Sequence, residues 1–399
     1  MNDVRLGVIG LGVRGGLAAL AHRPGAGARV TAACDTDPRM AALAQDRLGR
    51  SVRTTTDHRD LLDAGLDGVL VLTPDHTHER IATDFLAAGV PVFLEKPMAI
   101  TTDGCDQVLR TAHKHRTRLF VGHNMRHMPV VTAMRELIER GEIGEVKAVW
   151  CRHFVGHGGD FYFKDWHADR RNTTGLLLQK GAHDIDVIHW LAGGYSRRVN
   201  AMGALTVYGG ITSRRDRDAH RMTDWLSENN WPPRTLTGLN PVVDVEDLSM
   251  MQMQLDNGVL ASYQQCHYTP DYWRNYTVIG TEGRLENFGD SEGAEIRVWN
   301  RRSGYRAEAD VTKPVHSPDG SHGGADPLLV DAFLRFLREG GTTVTSPVAA
   351  REAVAAGYAA TVSLRDGGRP VDVPPVDAET AAYFDGGQPG STAVGAERG

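Results

Sequence analysis

The chain has 399 residues, 41% hydrophobic and 24% charged, with a formal net charge of -6, the balance of a folded globular protein long enough for two domains. An acidic balance offers no field for a nucleic-acid backbone, and no apolar run approaches the roughly 20 residues that span a bilayer, so nucleic acid and membrane are excluded as partners. Cys34, Cys105, Cys151 and Cys266 form neither a CxxC pair nor a zinc-ligand spacing, and MNDVRLGVIGLG lacks a signal peptide's basic region and cleavage site; the expectation is a cytoplasmic protein with reduced thiols.

From Val4 to about Asn124, the runs LGVIG, RVTAACD, GVLVLTP, VPVFLEKP and RLFVGHN read as strands. Helical patterns follow Arg14, Pro38, Asp57, Thr77 and Thr102. Strands apolar at every position are buried on both faces, the mark of a parallel sheet between helices. Residues 1–124 are therefore expected to form a doubly wound α/β Rossmann domain.

GLGVRG follows the first strand and sets Gly10, Gly12 and Gly15 on the pattern GxGxxG: a tight turn, close approach of a pyrophosphate, and close helix packing. The second strand ends at Asp35, where a carboxylate accepts hydrogen bonds from a ribose 2′-hydroxyl but repels a 2′-phosphate. NAD is thus favoured over NADP, although Arg39 could accept a phosphate. Asp37, before Pro38, is the better helix cap.

Beyond residue 125 the pattern changes to a helix over 129–140 and then strand runs EVKAVWCRHF, RVNAMGALTVY, DLSMMQMQL, GVLASYQQCHY, YTVIGTEGRLENF and AEIRVW. Few helices intervene, so 125–375 is expected to be an α+β domain on a large, mostly antiparallel open sheet. Residues 209–240 read as an insertion near the site. Helices are expected at 327–338 and 347–366, the second capped by Ser346 and packing back on the Rossmann domain, with 376–399 a flexible tail.

LLLQKGAHDIDVIHWLAGG, residues 176–194, sets His183, Asp184, Asp186 and His189 in an apolar helix. His183, Asp186, Val187 and Trp190 share one face, and Ile185, Ile188 and Ala192 the opposite one, so the helix is buried on both sides. His183 and Asp186 then point into a partly dry space as catalytic candidates, while Asp184 and His189 are expected to be structural. Lys180, just before the helix, is a candidate substrate ligand. HxxDxxH and the histidines His76, His78, His123 and His127 also suggest a metal, but no ligand set is complete and none is expected. Between Lys147 and His183, cations interleave with Phe161, Tyr162, Phe163 and Trp166, a pairing suited to a sugar, including one bearing an anionic group.

GLGVRG, TPDHTH at 73–78, EKP at 95–97, HNMRHMP at 123–129, GEIGEV at 141–146, the His183/Asp186 pair and HGGADPLLVDAF at 322–333 together resemble the Gfo/Idh/MocA family, which includes glucose-fructose oxidoreductase and inositol dehydrogenase. The resemblance implies a nicotinamide cofactor held by Gly10, Gly12, Val13, Arg14, Gly15 and Asp35, with Thr73, Pro74, His78, Glu95, Lys96 and Asn124 around it. A sugar or cyclic polyol would lie between the nicotinamide and the open sheet. The resemblance implies catalytic roles for Lys96, His183 and Asp186, which also contact substrate with Arg126, Tyr162, Trp166, His167 and Lys180, and assembly as a homodimer or homotetramer through the sheet.

Oxidising a secondary alcohol requires a base at its oxygen as hydride leaves the carbon, a role that suits His183, with Lys96 hydrogen-bonding the developing alkoxide and Asp186 orienting. Two further outcomes fit the same residues. One is redox-neutral glycoside hydrolysis through transient oxidation, with Tyr162, His153, His157, His167 or Asp184 supplying additional acid and base. The other is a non-catalytic NAD-binding regulator.

Overall fold

The computed structural model describes residues 2–216, 222–318 and 321–389. They divide into two compact units. The first comprises the residues up to His123, Asp326–Arg351 and the described residues from Val376 on; the second comprises Asn124–Ala325 and Glu352–Pro375.

The first unit is built on strands β1 (Val4–Ile9), β2 (Ala28–Cys34), β3 (Arg53–Thr55), β4 (Gly68–Val71), β5 (Val92–Leu94) and β6 (Leu119–Val121). All pair in parallel, in the order β3-β2-β1-β4-β5-β6. This is the doubly wound arrangement, and β4, β5 and β6 are buried at every residue, as continuous apolar runs require. The short edge strand β3, with sequence RTT, carries no apolar run and escapes sequence reading. After Asp57 the expected helix is only the 3-10 turn His58–Leu61, because the chain soon turns left-handed at Gly65 (φ +64°).

The C-terminal helices divide differently from expectation. The helix that packs against this sheet is Ala325–Glu339, whose Phe333 meets Phe93 and Phe120 at ring distances of 5.3 and 5.7 Å. The helix Pro347–Arg365, expected to pack back on the Rossmann domain, instead belongs from Glu352 onward to the second unit. Its small residues explain this: Ala353, Ala356 and Ala360 line its buried side, and a Cβ on Gly357 would stand 2.7 Å from the Leu177 carbonyl oxygen. Ser346 does cap it, its Oγ accepting from Ala349 N at 3.1 Å.

The tail expected from residue 376 is also corrected. Asp377 caps a helix, Ala378–Asp385, whose Phe384 is buried. Beyond it, the Gln388 side-chain amide accepts from Leu119 N at 2.8 Å and donates to Leu119 O at 2.9 Å, covering the edge of β6 as another strand would. Residues 390–399 of the expected tail lie outside the described residues.

The second unit carries β7 (Val146–Phe154), β8 (Ser196–Ala204), β9 (Leu248–Leu255), β10 (Leu260–Cys266), β11 (Trp273–Gly280), β12 (Arg284–Phe288), β13 (Glu295–Trp299), β14 (Val311–Pro314) and β15 (Val371–Asp372). Their order is β14-β13-β12-β11-β7-β10-β9-β8-β15, antiparallel except where β7 and β10 run together. YTVIGTEGRLENF is thus two strands, β11 and β12, folded about the TEG turn. On one face lie the helices Pro129–Glu139 and Gly181–Ala192 over a continuous apolar core. The other face exposes Trp150, Met202, Met250 and Leu260.

Replacing Gln388 by alanine leaves both Leu119 backbone groups without their partner. We expect a loss of about 1–3 kcal/mol, read as a lower thermal or urea midpoint.

Candidate active site

In the first unit, β1 delivers the chain into a turn that only glycine can make. Gly10 has φ +89°, and a Cβ there would lie 2.8 Å from the Leu72 carbonyl oxygen. A Cβ on Gly12 would meet nothing within 4 Å, so space stands open over the backbone where a phosphate would approach. Gly15 departs from its expected packing role, since the nearest atom to its Cβ position is 3.9 Å away. Val13 is exposed on the turn Val13–Gly15.

Asp35, at the end of β2, accepts from Leu11 N at 2.8 Å and from Asp37 N at 2.9 Å, one bond on each oxygen. The carboxylate is therefore held beside the glycine turn, and each oxygen retains a lone pair for a ribose hydroxyl. Arg39 is gripped by Asp37 at distances down to 2.6 Å, which argues against a phosphate role. The residues thus fit a dinucleotide with a free 2′-hydroxyl.

Two of the residues expected at the cofactor, Arg14 and His78, brace the loops of the cradle. Arg14 donates to Glu95 Oε1 at 2.6 Å and, with both terminal nitrogens, to Asp326. Burial opposes its charge, but the two carboxylates outweigh burial and hold it firmly protonated. His78 is fully buried, with Nδ1 2.7 Å from the Pro97 carbonyl and Nε2 2.8 Å from that of Thr73. Burial pushes its pKa down while the carbonyls pull it up. It therefore ties the TPDHTH loop to EKP, placing Thr73, Pro74 and Lys96 on one rim. Glu95 accepts from Lys96 N at 2.8 Å through its other oxygen.

In the second unit the polar centre is Asp184, which sequence reasoning set aside. Its fully buried carboxylate accepts from His153 Nδ1 at 3.0 Å, Tyr263 OH at 2.9 Å and Tyr276 OH at 2.5 Å, with Arg274 Nε 3.0 Å away. Burial alone would raise its pKa; Arg274, then His153, hold it well below the usual carboxylate range. The His153 pKa is pushed down to about 3 by burial and by Arg274. The tautomer follows: Nδ1–H donates to Asp184, leaving Nε2 to face the Arg274 guanidinium at 3.5 Å. Tyr263 and Tyr276 are pushed up, first by burial and then by Asp184, and stay protonated donors. His189, the other expected structural group, meets the Ser196 hydroxyl at 2.8 Å and Ser196 N at 3.2 Å, its pKa pushed down to about 4 by burial.

This hub pins the helix Gly181–Ala192, which is buried on both sides as its sequence implies. Asp186 is clamped by Arg126 through a two-bond bridge, Nε–Oδ2 2.9 Å and Nη2–Oδ1 2.7 Å, both side chains buried. Both were expected to meet substrate; within the second unit they meet each other. Arg126 also lies 5.3 Å over the Trp190 ring. His183 is 5% exposed, with its ring centroid 6.2 Å from that of His322. Lys180 Nζ sits 5.9 Å from the Tyr162 ring centre; His167 meets the same ring edge-on at 5.2 Å and stacks on Trp166 at 3.7 Å. Tyr162, Trp166, His167 and Lys180 are therefore one cluster. Asn124 is buried at the start of the turn Asn124–His127 and is counted with this second unit.

The segment expected as an insertion is tied to the same cluster. Asp160, two residues before Tyr162, pairs with Lys164 Nζ at 2.7 Å and accepts from the Asn230 amide at 2.8 Å, while its backbone carbonyl accepts from Trp225 Nε1 at 2.9 Å. Tyr208 stacks on Phe163 at 4.3 Å. Residues 217–221 of this segment lie outside the described residues. No cluster of metal-ligating side chains occurs among the described residues.

Two family models match the chain: the NAD-binding Rossmann fold of the Gfo/Idh/MocA oxidoreductases over residues 4–123, and that family's C-terminal alpha/beta domain over residues 135–373. The chain belongs to the Gfo/Idh/MocA oxidoreductase family. YteT of Bacillus subtilis, named as an oxidoreductase, is 26% identical over 350 residues, covering 76% of this chain and 82% of that protein. Inositol 2-dehydrogenase 1 of Saccharopolyspora erythraea is 34% identical over 193 residues, 47% of this chain and about half (54%) of that enzyme. In fold, a levoglucosan dehydrogenase solved with NADH and levoglucosan matches with a TM-score of 0.75 at 21% identity, over 93% of this chain and 100% of that one. As a member of this family the protein is an NAD-binding oxidoreductase.

The hub and the cradle generate separate expectations. Arg274→Met strands a buried carboxylate and should cost about 3–5 kcal/mol of unfolding free energy. Below pH 6.5 the unfolded chain binds protons at His153 and His189 that the folded one refuses until about pH 3 and about pH 4, so stability should fall as pH drops through that window. Asp184 adds to this loss only below its unfolded value of 3.8. His189→Gln should flatten the slope between pH 6.5 and 4, measured by urea unfolding at stepped pH. Asp35→Ala should weaken NAD binding about tenfold while leaving NADP binding unharmed, measured by fluorescence titration.

Proposed function

We propose that the protein oxidises a secondary hydroxyl of a cyclic polyol or sugar, with NAD as the hydride acceptor. The observation that carries this reading is a partly dry imidazole, His183, on a helix held immobile by the Asp184 hub and the Asp186–Arg126 clamp, in a chain that also carries a dinucleotide cradle. The cofactor, when bound, supplies a two-electron acceptor. His183 takes the hydroxyl proton, and the Lys96 ammonium is the donor suited to an oxygen on which negative charge develops. The helix that carries His183 is held by that hub and clamp, so its imidazole needs little reorganisation in the step. Tyr162 and Trp166 offer faces to a sugar ring, and Lys180 a donor to its hydroxyls or to an anionic substituent. The inositol and levoglucosan dehydrogenases among the similar proteins support this substrate class.

The hydrolytic alternative loses two of the groups it would draw on. His153 and Asp184 are fully buried and committed to each other and to Arg274. Nothing in the structure favours it over plain oxidation.

The open face of the large sheet further supports assembly of the chain as a homo-oligomer. Trp150, Met202, Met250 and Leu260 stand exposed there, beside a depression of about 610 Å³ whose lining includes Trp150, Arg152, Gln264 and Arg284. Apolar side chains displayed together on one sheet face suit a self-complementary contact. Among the described residues no helix is long and apolar enough to cross a membrane, and the four cysteines are unpaired, which together favour a reducing cytoplasm.

Turnover is tested by offering myo-inositol, scyllo-inositol, levoglucosan, free sugars and aryl glycosides with NAD, recording NADH and aglycone release. We expect stoichiometric NADH from a polyol or sugar; aglycone release with only catalytic NAD would replace oxidation by hydrolysis. Lys96→Ala and His183→Ala should each lower kcat by about 100-fold or more while NAD binding persists. Trp150→Glu should shift the sedimentation coefficient toward that of a monomer.

A further inference from the structure

The short π-helix Gly159–Phe163 is held more firmly than a connection after a strand requires. Lys164 N closes it on Gly159 O at 3.0 Å, and wide turns of this kind recur at functional sites. Its entry has no room for side chains. A Cβ on Gly158 would overlap the His267 carbonyl oxygen, and one on Gly159 would stand 2.5 Å from Leu236 and 2.9 Å from Tyr208 OH. The turn is therefore gripped between the residue that follows β10 and the segment that follows β8.

That segment also reaches the turn by hydrogen bonds. Trp225 Nε1 donates to Asp160 O at 2.9 Å, the Asn230 amide to Asp160 Oδ1 at 2.8 Å, and Asn240 N to Phe163 O at 2.8 Å. Leu236 and Leu239 join Tyr162, Phe163 and Leu176 in a small apolar core apart from the main core of the unit. Asp160 brings a charge into it: its carboxylate is 2% exposed and is answered by the buried Lys164 Nζ at 2.7 Å. Apolar residues of the same volume would serve stability as well, whereas a buried ion pair tolerates few geometries. What that geometry delivers is Tyr162. Its ring lies 5.9 Å from Lys180 Nζ, 5.2 Å from the His167 ring and 5.1 Å from the His267 ring, so a shift of the turn disturbs the whole cluster.

We propose that segment 222–240 is a strap that sets substrate affinity, with Asp160 as the positioning residue through which it holds Tyr162 and, beside it, Lys180 and His167. The inference rests on the oxidoreductase reading above and deepens it: affinity for the polyol or sugar is governed from a segment remote in sequence from Lys96 and His183.

The test uses the full chain and the best-used member among myo-inositol, scyllo-inositol and levoglucosan. Trp225→Phe and Asn230→Leu keep bulk and remove the two side-chain donors to Asp160. Together they should raise KM about tenfold while kcat and NADH affinity stay within about twofold, because the binding lost is common to ground and transition states. Tyr162→Leu should raise KM by about tenfold as well, and adding both strap substitutions to it should cost less than about a further threefold, since effects that pass through one residue do not add. The thermal midpoint checks folding; should the paired variant fail to fold, Trp225→Phe alone is compared in the two backgrounds, with an expected rise of about threefold against none. An unchanged KM overturns the inference, and so does an undiminished rise in the Tyr162→Leu background, which a merely structural role would give. Either result leaves the oxidoreductase reading intact. Absence of turnover of every polyol and sugar by the wild type overturns both.

Discussion

A fully buried carboxylate sits at the centre of the second unit, and most of what that unit does depends on its being satisfied. Asp184 comes from a helix, while its partners come from three adjacent strands: His153 from β7, Tyr263 from β10, and Arg274 with Tyr276 from β11. An ionised carboxylate without these groups would be expensive to bury, by several kcal/mol even after relaxation. The helix therefore has one angular setting and one register on the sheet. Its neighbours in sequence, His183 and Asp186, inherit that setting.

This separates the groups that hold from the groups that react. Asp184, His153 and Arg274 are locked in a salt-bridged and hydrogen-bonded network whose protonation states burial and mutual charge make insensitive near neutrality. Asp186 is likewise answered by Arg126. In the first unit the same division recurs, with Arg14 and His78 bracing the loops that present Gly12, Thr73 and Lys96. Catalysis by preorganised groups demands this division, since a donor that must be reoriented during the reaction returns part of the stabilisation it offers.

Much of this was legible one residue at a time. The glycine turn, Asp35, the EKP strand end and the His183 helix are local patterns, and each is found where its pattern implies. Alternation along the strands also carries a readable sign: Arg274, Tyr276 and Val278 share a face of β11, as do Val149, Cys151 and His153 on β7, so an arginine stands in an otherwise core-facing row. The sign goes unread because nothing local says which row faces Asp184. His322 is similar: its HGG setting is visible, but its nearness to His183, 139 residues earlier in the chain, is not. The helices near the C-terminus were located correctly, yet the partner of each was not, because an alanine-rich face and a phenylalanine-rich face are both simply apolar in sequence.

What the sequence by itself determined was periodicity and local chemistry: which runs are strands buried on both faces, where glycine must turn the chain, and which helix carries polar groups on an apolar background. These are set by sterics and hydrophobic patterning within a few residues. What only the tertiary structure decided was pairing. Whether Asp184 is a bystander or the hub, whether an arginine meets Asp186, and whether Gln388 belongs to a tail or to a sheet edge all depend on partners dozens to hundreds of residues away. The physical reason is that a buried charge or an open strand edge is stabilised only by the group that meets it in space.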